Sequence, residues 1–157
     1  MLFSSHRCAA FWTPPLFAEN RGECKMEQAF GKKTILVVDD EPHILAVVSE
    51  VLQGDGYDIL TANSGSRGLQ ISSEFEGEIA LLLSDFQMPG GISGVDLATA
   101  MTLERPQLKV LLMSGFPGGM LVLNEGWHFL AKPFVASQLR ALVAGLVFPE
   151  RKSKFSA

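Results

Sequence analysis

Residues 79–85 read Ile79-Ala80-Leu81-Leu82-Leu83-Ser84-Asp85. The run is apolar without alternation until its last two residues, so as a strand it demands apolar cover on both faces. Strands of that kind belong to parallel sheets sandwiched between helices. The run stops on a carboxylate, and Pro89-Gly90-Gly91 follows as a turn.

The same pattern spreads in both directions. Thr34-Ile35-Leu36-Val37-Val38 and Lys109 to Met113 are further apolar strands, and His128 to Ala131 is a shorter one. Tyr57 to Ala62 carries Asp58 and Thr61 and suits a sheet edge. Between these runs the period changes to that of a helix. A first helix is expected from Pro42, where proline suits a first turn, with the stripe Ile44, Leu45, Val47, Val48, Val51 and Leu52 and a stop at Gly54 and Gly56. A second is expected from about Ser66 to Phe75, weakened by Gly68, Ser72 and Ser73. Ser93 with Asp96 three residues on has the spacing of a capping box and opens a third. A short fourth spans Met120 to about Glu125, and a fifth runs from Val135 to Val147 on Val135, Leu139, Leu142, Val143 and Leu146. Strict alternation with right-handed crossovers predicts an α/β fold: a doubly wound five-stranded parallel sheet of order 2-1-3-4-5 in a flavodoxin-like three-layer sandwich.

A chain of 157 residues suits one domain with tails, here residues 32–148. At 47% hydrophobic and 19% charged it has the material for a large core and is not a disordered chain. A net charge of −4 leaves no electrostatic footprint for nucleic acid. Residues 149–157 form a short tail in which Arg151, Lys152 and Lys154 read as solvated charges. Residues 1–31 read either as a poorly ordered extension or as the product of a misplaced start, with Met26 the alternative. Arg7 followed by Ala9-Ala10-Phe11-Trp12 hints at a signal peptide, but Pro14 and Pro15 break the apolar stretch. Cys8 and Cys24 lie ahead of the domain without zinc spacing, and no apolar run reaches the roughly 18 residues of a membrane span. A cytoplasmic setting is the expectation.

Chemistry in a doubly wound sheet sits at the carboxyl ends of the strands beside the switch point. There the first strand ends in Asp39-Asp40-Glu41, the third in Asp85, the fourth in Ser114, and the fifth in Lys132-Pro133. Clustered carboxylates repel unless a cation intervenes, and magnesium, content with one or two carboxylates plus water and phosphate oxygens, fits that need. Phosphoryl transfer employs every group: Asp85 as nucleophile, Asp40 and Asp85 holding the metal, Lys132 and the Ser114 hydroxyl on the phosphoryl oxygens. Gly115 leaves the approach open.

The stretches VVDDEP, LLLSDFQMPGGISG, LLMSG and FLAKPF, in this order, resemble the signature segments of response-regulator receiver domains of two-component signalling, over about residues 32–148. The resemblance implies that Asp85 is the phosphoacceptor, Asp40 a direct Mg2+ ligand and Asp39 a ligand acting through water. It further implies that Gln87 offers its backbone carbonyl to the metal, that Ser114 is the hydroxyl that swings toward the phosphoryl group, that Lys132 bridges to it before a cis proline, and that Phe129 is the aromatic switch position. The implied partners are a histidine kinase or phosphotransfer protein upstream and a docking protein downstream, with no nucleic acid and no membrane. Two features depart from the family pattern. Ser114 and Lys132 are 18 positions apart, about one helical turn short, which predicts a stunted fourth helix. Phe129 lacks the hydroxyl of the commoner tyrosine, so a switch there works by packing alone.

Taken singly, these residues have plainer readings: Asp39 and Asp40 as caps of the first helix, Asp85 as a turn carboxylate, Ser114 as a serine of the kind common in turns, and Lys132 as a surface lysine. The combination at four strand ends favours a site. His6, His43 and His128 read as structural or solvent-facing, and the glycine pairs fit no nucleotide-binding motif. The expected activity is that of a non-enzymatic signalling switch, a single-domain response regulator. Its alternatives are a magnesium-dependent phosphohydrolase with an aspartyl nucleophile and a receiver-like binding module that is never phosphorylated.

Overall fold

Side-chain direction alternates along the strands, so that each strand feeds two separate cores, one on either face of the sheet. The computed structural model describes residues 32–115 and 126–149. In it β1 (Thr34–Val38), β2 (Asp58–Ala62), β3 (Ile79–Asp85), β4 (Lys109–Ser114) and β5 (Trp127–Ala131) pair in parallel in the order β2-β1-β3-β4-β5. Four helices, α1 (Pro42–Gly54), α2 (Gly65–Glu74), α3 (Gly94–Glu104) and α4 (Ala136–Val147), complete the described elements. The sheet order and the strand–helix alternation are those expected, each boundary falling within one residue of its expected place. The expected short helix at Met120 to Glu125 lies outside the described residues.

Ile35, Val37, Leu81, Leu83, Leu111 and Met113 face α1 and α4, where Val48, Leu52, Leu139 and Val143 cover them. Leu36, Val38, Leu82, Val110 and Leu112 face α2 and α3, against Leu97, Ala98 and Met101. The result is a three-layer sandwich. β2, the most polar strand, is an edge, with a burial pattern of one exposed residue, two partly buried, one exposed and one buried.

Helix α2 shows why weak propensity did not prevent a helix. A β-carbon at Gly68 would stand 3.1 Å from Leu97 and 3.3 Å from Val38, so the glycine that lowers its propensity is also what lets it lie close. Ser93 and Asp96 form the expected capping box on α3. Arg105, the residue ending α3, donates from its guanidinium to the carbonyls of Ser72, Phe75 and Gly77 at 2.9, 2.7 and 2.7 Å. It caps the carboxyl end of α2 with a charge of the sign that end attracts. Removing it as Arg105→Ala should lower the unfolding free energy by about 2–3 kcal/mol, the scale of charged hydrogen bonds left unmade. Arg105→Lys should recover less than half, because an ammonium cannot reproduce the fork. Urea denaturation of the three proteins measures this, and an unchanged midpoint in Arg105→Ala would reject it.

Candidate functional site

The strand ends place the site. Asp39 follows β1, and its N–H donates to the Ala62 carbonyl at 3.2 Å, prolonging the ladder by one residue. Asp85 closes β3, and the next N–H, of Phe86, donates to the Met113 carbonyl at 2.7 Å. Ser114 closes β4, and its carbonyl accepts from the Lys132 N–H at 2.7 Å. That backbone bond sets Lys132 beside the fourth strand, and the Lys132-Pro133 peptide is cis.

These constraints bring the distant residues together. The Lys132 Nζ stands 2.8 Å from Asp39 Oδ2 and 2.8 Å from Asp85 Oδ1. The Asp39 side chain is wholly buried, while those of Asp85 and Lys132 keep 13% and 17% of their exposure. Asp40, Glu41, Asp85, Phe86, Gln87, Ser114, Gly115 and Lys132 line a pocket of about 370 Å³ above this triad. Asp40 is exposed at its lip.

The simple capping reading of Asp39 and Asp40 does not describe α1. The N-cap is Glu41, without a side-chain hydrogen bond and with Pro42 in the first turn. Asp39 Oδ1 instead accepts from the Glu41 N–H at 2.9 Å, which fixes the carboxylate whose other oxygen meets Lys132.

Burial pushes the Asp85 carboxyl above the ordinary aspartate value; the hydrogen bond and charge of Lys132 oppose this, Asp39 adds to it, and a main-chain hydrogen bond from Gln87 opposes it. Burial pulls the Lys132 ammonium down, but Asp39 and Asp85 outweigh it and hold it above the ordinary lysine value. The two directions agree: the lysine faces two anions, whereas Asp85 faces one shared cation, a second anion and a partly dry wall. The pocket is short of positive charge.

Its donors are all oxygen apart from the lysine, the chemistry of a hard cation. Among the described residues no three carboxylate, imidazole or thiol groups are gathered as a ready-made metal cluster.

Phe129 is 39% exposed and its ring lies 6.5 Å from that of Phe86, tilted by 52°. Phe86 lines the pocket without having been singled out from the sequence, and Glu41, named there only as part of the acidic end of the first strand, lines it too. Each immediately follows a residue singled out there, and that adjacency was the available signal.

An open parallel sheet with acid, hydroxyl and lysine groups at adjacent strand ends defines a doubly wound α/β domain with a charged switch-point pocket. The model of the response regulator receiver domain matches residues 35–144, and the chain belongs to that family. It is 30% identical over 133 residues to the sensor kinase CckA of Brucella abortus (strain 2308), a match covering 82% of this chain and 14% of that protein. It is 32% identical over 133 residues to the probable transcriptional regulatory protein TcrX of Mycobacterium tuberculosis, covering 75% of this chain and 53% of the relative. The chain thus spans about half or less of these relatives' length. A response regulator receiver domain protein from Clostridium thermocellum superposes with a TM-score of 0.67 at 30% identity, over 74% of this chain and 95% of that one. Response regulator protein TrrA from Thermotoga maritima, solved in complex with Mg2+–BeF, gives 0.64 at 34% identity, over 73% and 98%. Among the described residues no helix is long and apolar enough to cross a membrane.

Proposed function

We propose that this receiver accepts a phosphoryl group on Asp85 and acts as a signalling switch. The observation that carries the reading is the single ammonium of Lys132 held 2.8 Å from both Asp39 and Asp85 at the floor of an otherwise acidic pocket. One Asp85 carboxylate oxygen attacks phosphorus; the bond to the donor nitrogen or oxygen breaks as the acyl phosphate forms, and the electron pair leaves with the donor. Lys132, freed in part from Asp85 as that carboxylate loses its charge, turns its ammonium to a phosphoryl oxygen. The Ser114 hydroxyl, at the end of the neighbouring strand, serves another. Asp40, Asp85 and the Gln87 carbonyl would hold Mg2+, with Asp39 acting through water; when bound, the ion supplies the charge neutralisation that the pocket lacks. The Thermotoga relative's complex with Mg2+–BeF supports a place for Mg2+ in this reading.

The upstream partner is a histidine kinase or phosphotransfer protein, in keeping with the sensor kinase relative. The output is docking to another protein, with Phe129 transmitting the change by packing on Phe86. Neither a net charge of −4 nor the pocket favours nucleic acid, and a cytoplasmic setting suits a kinase partner. Residues 1–31 and 149–157 are flanks of the functional domain in this reading.

Incubation with acetyl phosphate and Mg2+ should give one phosphoryl adduct by intact-protein mass spectrometry. It should be discharged by hydroxylamine, as an acyl phosphate is, and be absent in Asp85→Asn. No adduct on the unmodified chain, or one that survives in Asp85→Asn with the same lability, would overturn the reading.

A further inference from the structure

The side chains of Ser84 and Asp85 point to opposite layers of the sandwich. Asp85 continues the face of Leu81 and Leu83, toward α1 and α4, whereas Ser84 continues that of Leu82, toward α2 and α3. Ser84 is fully buried, an unusual place for a hydroxyl in a strand otherwise wholly apolar up to that point. Its Oγ donates to the main-chain carbonyl of Asp85 at 3.0 Å. The same carbonyl lies against Gly94, the first residue of α3, so closely that a β-carbon there would stand 2.0 Å from the oxygen and 3.0 Å from Ser84 Oγ. The N–H of that same peptide, Phe86 N–H, donates to the Met113 carbonyl at 2.7 Å, which holds its β4 edge, and in the next peptide the Phe86 carbonyl accepts from the Gly94 N–H at 3.2 Å.

We propose that Ser84 is a positioning residue for Asp85, its hydroxyl holding the peptide plane from which the carboxylate projects into the pocket. The inference rests on the phosphoacceptor reading of Asp85. A nucleophile at the end of a strand has half its ladder missing, and a rotation of its carbonyl swings the side chain relative to Lys132 and to an incoming phosphorus. The Ser84 hydroxyl and the start of α3 stop that rotation from the side of the sheet opposite the chemistry. Reactivity then depends on a group that touches neither phosphoryl donor nor metal.

Threonine and valine at this position separate the hydroxyl from its volume, since both add the same bulk and only threonine keeps the donor. Phosphorylation by acetyl phosphate with saturating Mg2+ is followed in Ser84→Thr, Ser84→Val and the unmodified chain, at a temperature where thermal scans show all three folded. We expect Ser84→Thr within about twofold of the unmodified rate and Ser84→Val slower by roughly tenfold, between a tolerated shift and the hundredfold loss of a 1 Å misplacement. Beryllofluoride affinity should fall in the same order. A merely structural hydroxyl would lower the melting temperature of Ser84→Val and leave its folded-state rate equal to that of Ser84→Thr, and that equality overturns the proposal. Failure of the unmodified chain to accept a phosphoryl group indicts the phosphoacceptor reading instead.

Discussion

Gly94→Ala should unfold some 10–15 °C below the unmodified protein, a loss of about 3–4 kcal/mol. A single methyl has this effect because of where it lands: 2.0 Å from the Asp85 carbonyl oxygen, 3.0 Å from the carbonyl carbon and 3.0 Å from Ser84 Oγ. The first distance is about 1 Å inside van der Waals contact, and the obstacle is backbone at the end of a central strand, with no rotamer to move aside. Lifting α3 away would stretch the Gly94 N–H to Phe86 carbonyl bond and pull on the Ser93–Asp96 capping box. The matched control is Gly145→Ala within α4, where the new methyl meets open space. There helix propensity alone acts and should stabilise by up to about 1 kcal/mol. Thermal and urea denaturation followed by circular dichroism measure both; a Gly94→Ala protein within 1 kcal/mol of the parent would show that the strand end yields easily.

That contact also marks the limit of what the sequence discloses. The continuous apolar runs at residues 35–38 and 79–83, of four and five residues, identify strands covered on both sides, because a strand with one wet face alternates instead. The polar Asp58 and Thr61 identify the edge. Four strand ends carrying carboxylate, hydroxyl and lysine follow once the order is assumed, since topology alone makes the rim. What stays hidden is long-range and specific. Gly94 reads as an ordinary glycine after a capping serine, and only the packing of α3 on β3 explains it. Arg105 reads as a basic residue at a helix end, while its partners lie 28 to 33 positions away on another helix and its turn. Lys132 reads as a ligand for a phosphoryl oxygen, yet the structure shows it bridging two carboxylates, one of them 93 positions distant. Hydrophobic periodicity reports which face is covered; it does not report which polar atom meets which.

Lys132→Met should lower stability at neutral pH by about 2–3 kcal/mol, somewhat under the 3–5 kcal/mol of a fully buried broken pair because the pocket is open to water. Methionine keeps most of the stem's volume, so the loss comes from charge. Asp39 is wholly buried and Asp85 partly so, and without the ammonium each carboxylate faces the other uncompensated. The pH dependence follows from the directions of the shifts. The Lys132 value is raised in the folded state, so its contribution is present throughout the pH range below the ordinary lysine value and is lost only in strong alkali; the variant lacks it at pH 7. The Asp85 value is also raised, so its charge opposes folding above that value and the opposition fades as acid protonates it. Removing Lys132 raises it further. The deficit of Lys132→Met should therefore be largest near pH 7 and shrink on acidification as Asp85 takes up a proton, beginning above the ordinary aspartate value. Millimolar Mg2+ should restore part of it, raising the variant's melting temperature by more than the parent's, since the ion replaces the charge that was removed. A deficit independent of both pH and Mg2+ would mean that the lysine acts through packing of its stem, and the electrostatic account of the pocket would fall with it.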